Sequence, residues 1–117
     1  MKPNLIVIRA QDIDALVEFY SLLGCEFEKH SHGKGPEHYA HESDAAVFEI
    51  YPFIEGGPST LGVRIGFLVE SVDDAVKCMV NSGKGKLVSE PKDSPWGRRA
   101  VIDDPEGHRV ELLQESV

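Results

Sequence analysis

Apolar and polar positions along the chain fall into two matching series. In the first, the β-branched run Leu5-Ile6-Val7-Ile8 predicts a buried strand over residues 4–10. Ile13, Leu16, Val17, Tyr20 and Leu23 then recur at helical spacing. Asp12 stands where a side-chain oxygen accepts from the free N–H groups of a first turn, and Asp14 adds favourable negative charge there. Gly24 suits the left-handed position just past a helix end. Strands are predicted over 25–30, 38–41 and 46–51, with a loop at 31–36 and a turn near Ser43-Asp44. The second series opens with a strand over 63–70. Ser71 then starts a helix, with Asp74 three residues on in the manner of a capping box. Ala75, Val76, Met79 and Val80 supply its apolar face, and Gly83 ends it. Strands over 86–89, 98–103 and 108–114 follow, with a loop over 91–97 and a tight turn at Asp104-Pro105-Glu106-Gly107.

The spacing from Asp12 to Gly24 equals that from Ser71 to Gly83, and each half closes on a Glu between apolar neighbours: Phe48-Glu49-Ile50 and Val110-Glu111-Leu112. Such self-similarity marks two copies of one supersecondary unit. The order β-α-β-β-β, given twice, predicts an α+β fold of two tandem modules within a single domain of 117 residues. The modules span about 4–52 and 63–115, joined by a Gly- and Pro-rich linker at 53–62. One helix covers only one face of its sheet. Two such units side by side are expected to curve into a mixed sheet whose cleft is lined by alternate strand residues.

Composition narrows the function classes. The net charge of −8, from 20 acids against 12 bases, disfavours nucleic acid and suits a cationic small molecule. No stretch approaches the ~20 apolar residues that span a bilayer. The four-residue apolar run near the N-terminus is too short for a secretory signal, so a cytoplasmic location is expected. Cys25 and Cys78 form no CxxC pattern and read as reduced structural thiols.

Two stretches carry a resemblance. One is Asp12-Ile13-Asp14-Ala15-Leu16-Val17-Glu18-Phe19-Tyr20 leading to Leu23-Gly24. The other is Pro95-Trp96-Gly97-Arg98 leading to Asp104-Pro105-Glu106-Gly107-His108-Arg109-Val110-Glu111-Leu112. With Phe48-Glu49-Ile50-Tyr51-Pro52, they make the chain similar over essentially its whole length to the vicinal oxygen chelate superfamily. That group holds glyoxalases, bleomycin-resistance proteins and extradiol dioxygenases. The resemblance implies a homodimer, often with modules exchanged between subunits, and it does not settle a reaction. In metal-dependent members each module gives one ligand from its first strand, usually His or Gln, and a Glu from its last. The metal acts as a Lewis acid on two adjacent substrate oxygens.

Carried onto this chain, the late positions match as Glu49 and Glu111. The early positions, seven residues before Asp12 and Ser71, are Leu5 and Arg64. Leu has no donor atom, and Arg is permanently charged with no acceptor. No catalytic metal is therefore expected. Arg64 is read as replacing its charge and pairing with Glu49, Glu111 or an anionic ligand group. Two carboxylates with waters holding Mg²⁺ or Mn²⁺ weakly are the alternative.

The ligand-binding cleft is expected to include Glu49, Arg64, Glu111, His38, Trp96 and Arg98. His38 lies on the strand beside that of Glu49 and is a candidate polar contact or base. His41 points to the other strand face, while His30, His32 and His108 read as surface or loop residues. Trp96, the single Trp, is either a rim residue packed on its own module or an aromatic lid. Arg98 and Arg99 alternate faces, and Arg98, nearer the loop, is taken as the ligand contact. Glu49 and Glu111 serve either as an acid–base pair or as members of an ion cluster with Arg64. Three functions are open: a metal-free binder of a small molecule in a dimer cleft, a metal-dependent lyase, isomerase or dioxygenase, and a regulatory subunit whose cleft is filled by its own side chains.

Overall fold

The computed structural model describes residues 1–31 and 33–114, so expectations touching His32 and residue 115 lie outside the described residues. The chain divides into two compact units, Met1–Thr60 and Leu61–Val117. The first contains β1 (Leu5–Ala10), α1 (Ile13–Leu22), β2 (Glu28–His30), β3 (His38–Glu42) and β4 (Val47–Pro52). The second contains β5 (Arg64–Leu68), α2 (Val72–Ser82), β6 (Lys86–Ser94), β7 (Gly97–Asp103) and β8 (Arg109–Gln114). The sheet orders are β1-β4-β3-β2 and β5-β8-β7-β6. In each, the last strand inserts parallel to the first and antiparallel to the third.

Local chemistry explains the helix ends. The Ala15 N–H donates to Asp12 Oδ1 at 3.1 Å, and the Asp74 N–H donates to Ser71 Oγ at 3.2 Å. Each cap satisfies a first-turn donor that has no partner inside the helix. Gly83 closes α2 in the left-handed conformation, φ 72°, where a Cβ would be strained.

Each helix seals one face of its own sheet. In the first unit Leu16, Phe19 and Tyr20 of α1 are buried with Ile8, Ala10, Phe48 and Ile50. Tyr20 meets Phe48 edge-on, with ring centroids 5.0 Å apart. In the second, Val72, Val76 and Met79 of α2 are buried with Ile65, Ala100, Ile102, Val110 and Leu112. Each large aliphatic side chain so buried contributes roughly 1.5–3 kcal/mol before entropy is charged against it. Among the described residues, no helix is long and apolar enough to cross a membrane.

Three expectations need correction. The strand predicted over 25–30 pairs only from Glu28. The loop predicted over 91–97 is mostly strand, because β6 continues to Ser94. Its edge position tolerates Pro91, which lacks an N–H, and the ladder to β7 shifts register between Ser89 and Lys92. Pro95 and Trp96 alone make the turn. Ser94 Oγ spans it, donating to the Gly97 carbonyl at 2.5 Å and accepting from the Trp96 N–H at 3.3 Å.

The third correction is His108, which is fully buried, not solvent-facing. The predicted turn is present, with the Gly107 N–H donating to the Asp104 carbonyl at 3.0 Å. Asp104 Oδ1 accepts from the backbone N–H groups of Glu106, Gly107 and His108 at 3.0, 2.9 and 3.0 Å. His108 Nδ1 lies 2.9 Å from the other oxygen, Oδ2. One buried carboxylate therefore organises the whole turn and draws the imidazole inward. The motif is a structural clasp. Asp104→Ala is expected to lower the unfolding free energy by about 3 kcal/mol, and Asp104→Asn by less, because an amide oxygen keeps an acceptor. Urea denaturation of the two variants beside the parent checks this.

Candidate functional site

Partners in register across a sheet share a face, so the buried residues define which side chains occupy the face opposite each helix. In the first unit, Glu49 takes that open face on the central strand β4, flanked by Val7 on β1 and Ala40 on β3. Leu5, the position counted back from Asp12, shares the face one pair further along, opposite Val47. In the second unit Glu111 takes the equivalent place on β8, flanked by Gly66 and Val101, and Arg64 lies one pair further along.

The two glutamates have different company. His38 Nε2 lies 3.5 Å from Glu49 Oε2, and the His38 side chain is only 2% exposed. Its ring stacks on Tyr51 at 4.2 Å with planes 6° apart, and His30 meets its edge at 5.7 Å. The Arg9 guanidinium sits 5.0 Å above the far side of this row, over Tyr51. Arg9, Tyr51, His38 and His30 thus form one band of rings and charge across all four strands, a geometry that favours cation–π and offset ring contacts. Tyr51, Arg9 and His30 were missed in the sequence. Tyr51 and Arg9 stand two residues beyond Glu49 and Val7, so strand parity was the available signal.

Around Glu111 the company is basic. Arg99 Nε donates to Oε1 at 2.7 Å, and Arg64 Nη2 lies 3.7 Å from Oε2. The hydrogen bond from Arg99 is the largest cause that holds the Glu111 carboxyl below its ordinary value. The charges of Arg99 and Arg64 act in the same direction, and desolvation opposes them. Because Gly66 has no side chain, an apolar slot of about 300 Å³ lies beside Glu111, lined by Gly66, Phe67, Leu68, Glu111 and Leu113. A Cβ built on Gly66 would meet nothing nearer than the Glu111 carbonyl oxygen at 3.9 Å. A second concavity, about 370 Å³, opens in the first unit among Glu26, Phe27, Glu28, His30, Ala40 and Glu42.

The remaining expected site residues are placed differently. Arg98 is paired in register with Gln114, whose side-chain oxygen accepts from the Val72 N–H at the start of α2. It therefore points to the helix face. Arg98 grips Asp73 of the first α2 turn with Nε and Nη2 at 2.5 and 2.9 Å, and reaches Asp93 with Nη1 at 3.0 Å. That grip holds Asp73 below the ordinary carboxylate range. Arg99, not Arg98, is the arginine beside Glu111. Trp96 stands at the tip of the β6–β7 turn and is 73% exposed. Cys25 and Cys78 are not joined in a disulfide, and burial pushes the Cys25 thiol up to about 11.

A divalent metal of the kind the resemblance implies does not fit this donor set. Leu5 offers no lone pair, Arg64 brings a positive charge, and both Glu111 oxygens already face guanidinium groups. Among the described residues, no group of three or more His, Cys, Asp or Glu side chains is gathered for an ion.

Residues 2–112 match the model of the Glyoxalase/Bleomycin resistance protein/Dioxygenase superfamily. A probable lactoylglutathione lyase of Synechocystis sp. is 27% identical over 94% of this chain and 92% of its own length. Among solved structures, the antibiotic-binding protein TnmS3 of Streptomyces sp. CB03234 superposes with TM-score 0.78 at 20% identity, covering 99% of this chain and 97% of that one. A glyoxalase/bleomycin resistance protein of Albidiferax ferrireducens T118 gives 0.73 at 23% identity, covering 97% and 98%.

The Glu111 contacts predict a pH dependence. A carboxyl whose folded value is depressed contributes stability that is fully present above its unfolded value, ordinarily about 4.5. That contribution is lost as pH falls through the lower folded value. Arg99→Gln removes the largest cause. The stability gap between parent and variant is therefore expected to be full at about pH 7 and to shrink below about pH 4.5. Urea melts across that range measure it.

Proposed function

The chain belongs to the Glyoxalase/Bleomycin resistance protein/Dioxygenase superfamily, and from that premise we propose that it binds a small molecule on its open sheet faces without a catalytic metal. The single observation that carries this reading is the double guanidinium contact on Glu111. A metal needs the lone pairs that Arg99 and Arg64 already face, and Arg64 adds repulsion at the position where a ligand would stand. An antibiotic-binding protein of the same fold is the precedent for a binder built on this scaffold. The same proposal takes the working form as a cytoplasmic homodimer. Each sheet has one helix, and Leu5 and Leu68 on the open faces remain exposed, which suits pairing with a second copy.

A second reading, a lyase, is supported by the Synechocystis relative and by the His38–Glu49 pair, an imidazole beside a carboxylate suited to proton transfer. Metal analysis of protein purified without chelators separates the two. The binder reading expects well under one divalent ion per chain. It also expects no lactoylglutathione lyase activity on adding divalent metal, and a particle of two chains by light scattering. One ion per chain, lost in both Glu49→Gln and Glu111→Gln, would establish the lyase reading instead.

A further inference from the structure

We propose that the ligand bound on the second unit's open face is a small carboxylate with a flat apolar body. This inference rests on the metal-free binding reading and adds the chemical class of the ligand. The chain as a whole carries −8, which by itself suits a cationic partner. The open face of the second sheet has the opposite sign. Register places Arg64, Arg99, Arg109, Lys86 and Lys92 on it against two acids, Glu111 and Asp103, a local balance of five positive to two negative. Asp103 is consumed by Arg109, whose Nε donates to it at 3.0 Å. That leaves one carboxylate, Glu111, between two guanidinium groups, with Lys92 in register beside Arg99.

Two cations on one anion leave charge unspent. Each guanidinium carries five N–H donors; Arg99 spends one on Glu111, and Arg64 meets it as an ion pair at 3.7 Å. Arg64 is 53% exposed, so its charge is available to a solute. A second carboxylate matches the planar fork of such a group better than a neutral amide or an ammonium does. The apolar part has its place next to that charge. The slot of about 300 Å³ beside Glu111 is walled on the open face by Leu68 and Leu113 and opened by the missing side chain of Gly66, while Phe67, in register with the buried Leu112, turns its side chain to the helix face. A slot that is apolar on its walls and cationic at one end selects an amphipathic acid, because the ring leaves water while the charge keeps its partners. Glu111 competes with such a ligand for the same donors, so it sets affinity by opposing it.

The test compares three probes of one shape: 2-naphthoate, 2-naphthamide and 2-naphthylmethylamine, titrated calorimetrically into the full chain. The acid is expected to bind at least about tenfold tighter than the amide and the amine weakest. Arg64→Gln and Arg99→Gln should each weaken the acid about tenfold with little effect on the amide, as loss of a charged contact would. Glu111→Gln should tighten the acid severalfold, an outcome that damage to the fold does not produce. Equal affinity for acid and amide, tighter binding of the amine, or no saturable acid binding up to the order of 1 mM overturns the inference. A preference for amine or amide overturns the ligand class alone and leaves metal-free binding standing, whereas that reading itself falls by stoichiometric metal.

Discussion

A single helix can seal only one face of a four-stranded sheet, and everything chemical in this protein follows from the face left over. The apolar positions of β1 and β4, and of β5 and β8, alternate so that Ile8 and Ile50, or Ile65 and Val110, meet the helix. Their neighbours in sequence must then face away. Because the last strand of each unit inserts between the first and the third, Glu49 and Glu111 lie on central strands. A carboxylate there has neighbours on both sides and is partly withdrawn from water, so its partners decide its chemistry.

Those partners have diverged while the scaffold has stayed the same. Glu49 is beside an imidazole that is itself stacked on a tyrosine and met edge-on by a second histidine. Glu111 is held by permanent cations, which favour its ionised form and face both of its oxygens. A repeated fold thus carries two unlike sites. The difference lies in single residues at equivalent places: His38 or Arg99 on the third strand, Leu5 or Arg64 on the first. Gly66 matters because what it lacks opens an apolar slot beside Glu111.

Much of this was legible in the chain. The caps at Asp12 and Ser71, the glycine past α2 and the closing glutamates each have a local physical signature, and each stands where its chemistry predicts. What was not legible depended on pairing. Arg98 and Arg99 alternate, but Ala100, Val101 and Ile102 are all apolar, so nothing local says which arginine faces the helix. The register with β8 decides it. Pro91 reads as a loop residue unless β6 is known to be an edge strand. His108 follows a turn glycine and reads as exposed. Its burial depends on Asp104, four residues back, turning its carboxylate inward. The Asp-Pro-Glu-Gly-His stretch, part of what carried the family resemblance, builds a buried turn of the fold.

The central claim is that guanidinium charge occupies the place of a metal at Glu111. The most direct measurement is the ¹³C signal of the Glu111 side-chain carboxyl while Mn²⁺ is added to the intact protein. No saturable, site-selective broadening of that signal is expected in the parent chain. Saturable broadening of Glu111 at one ion per site, with Glu49 broadened at the same stoichiometry, would contradict it.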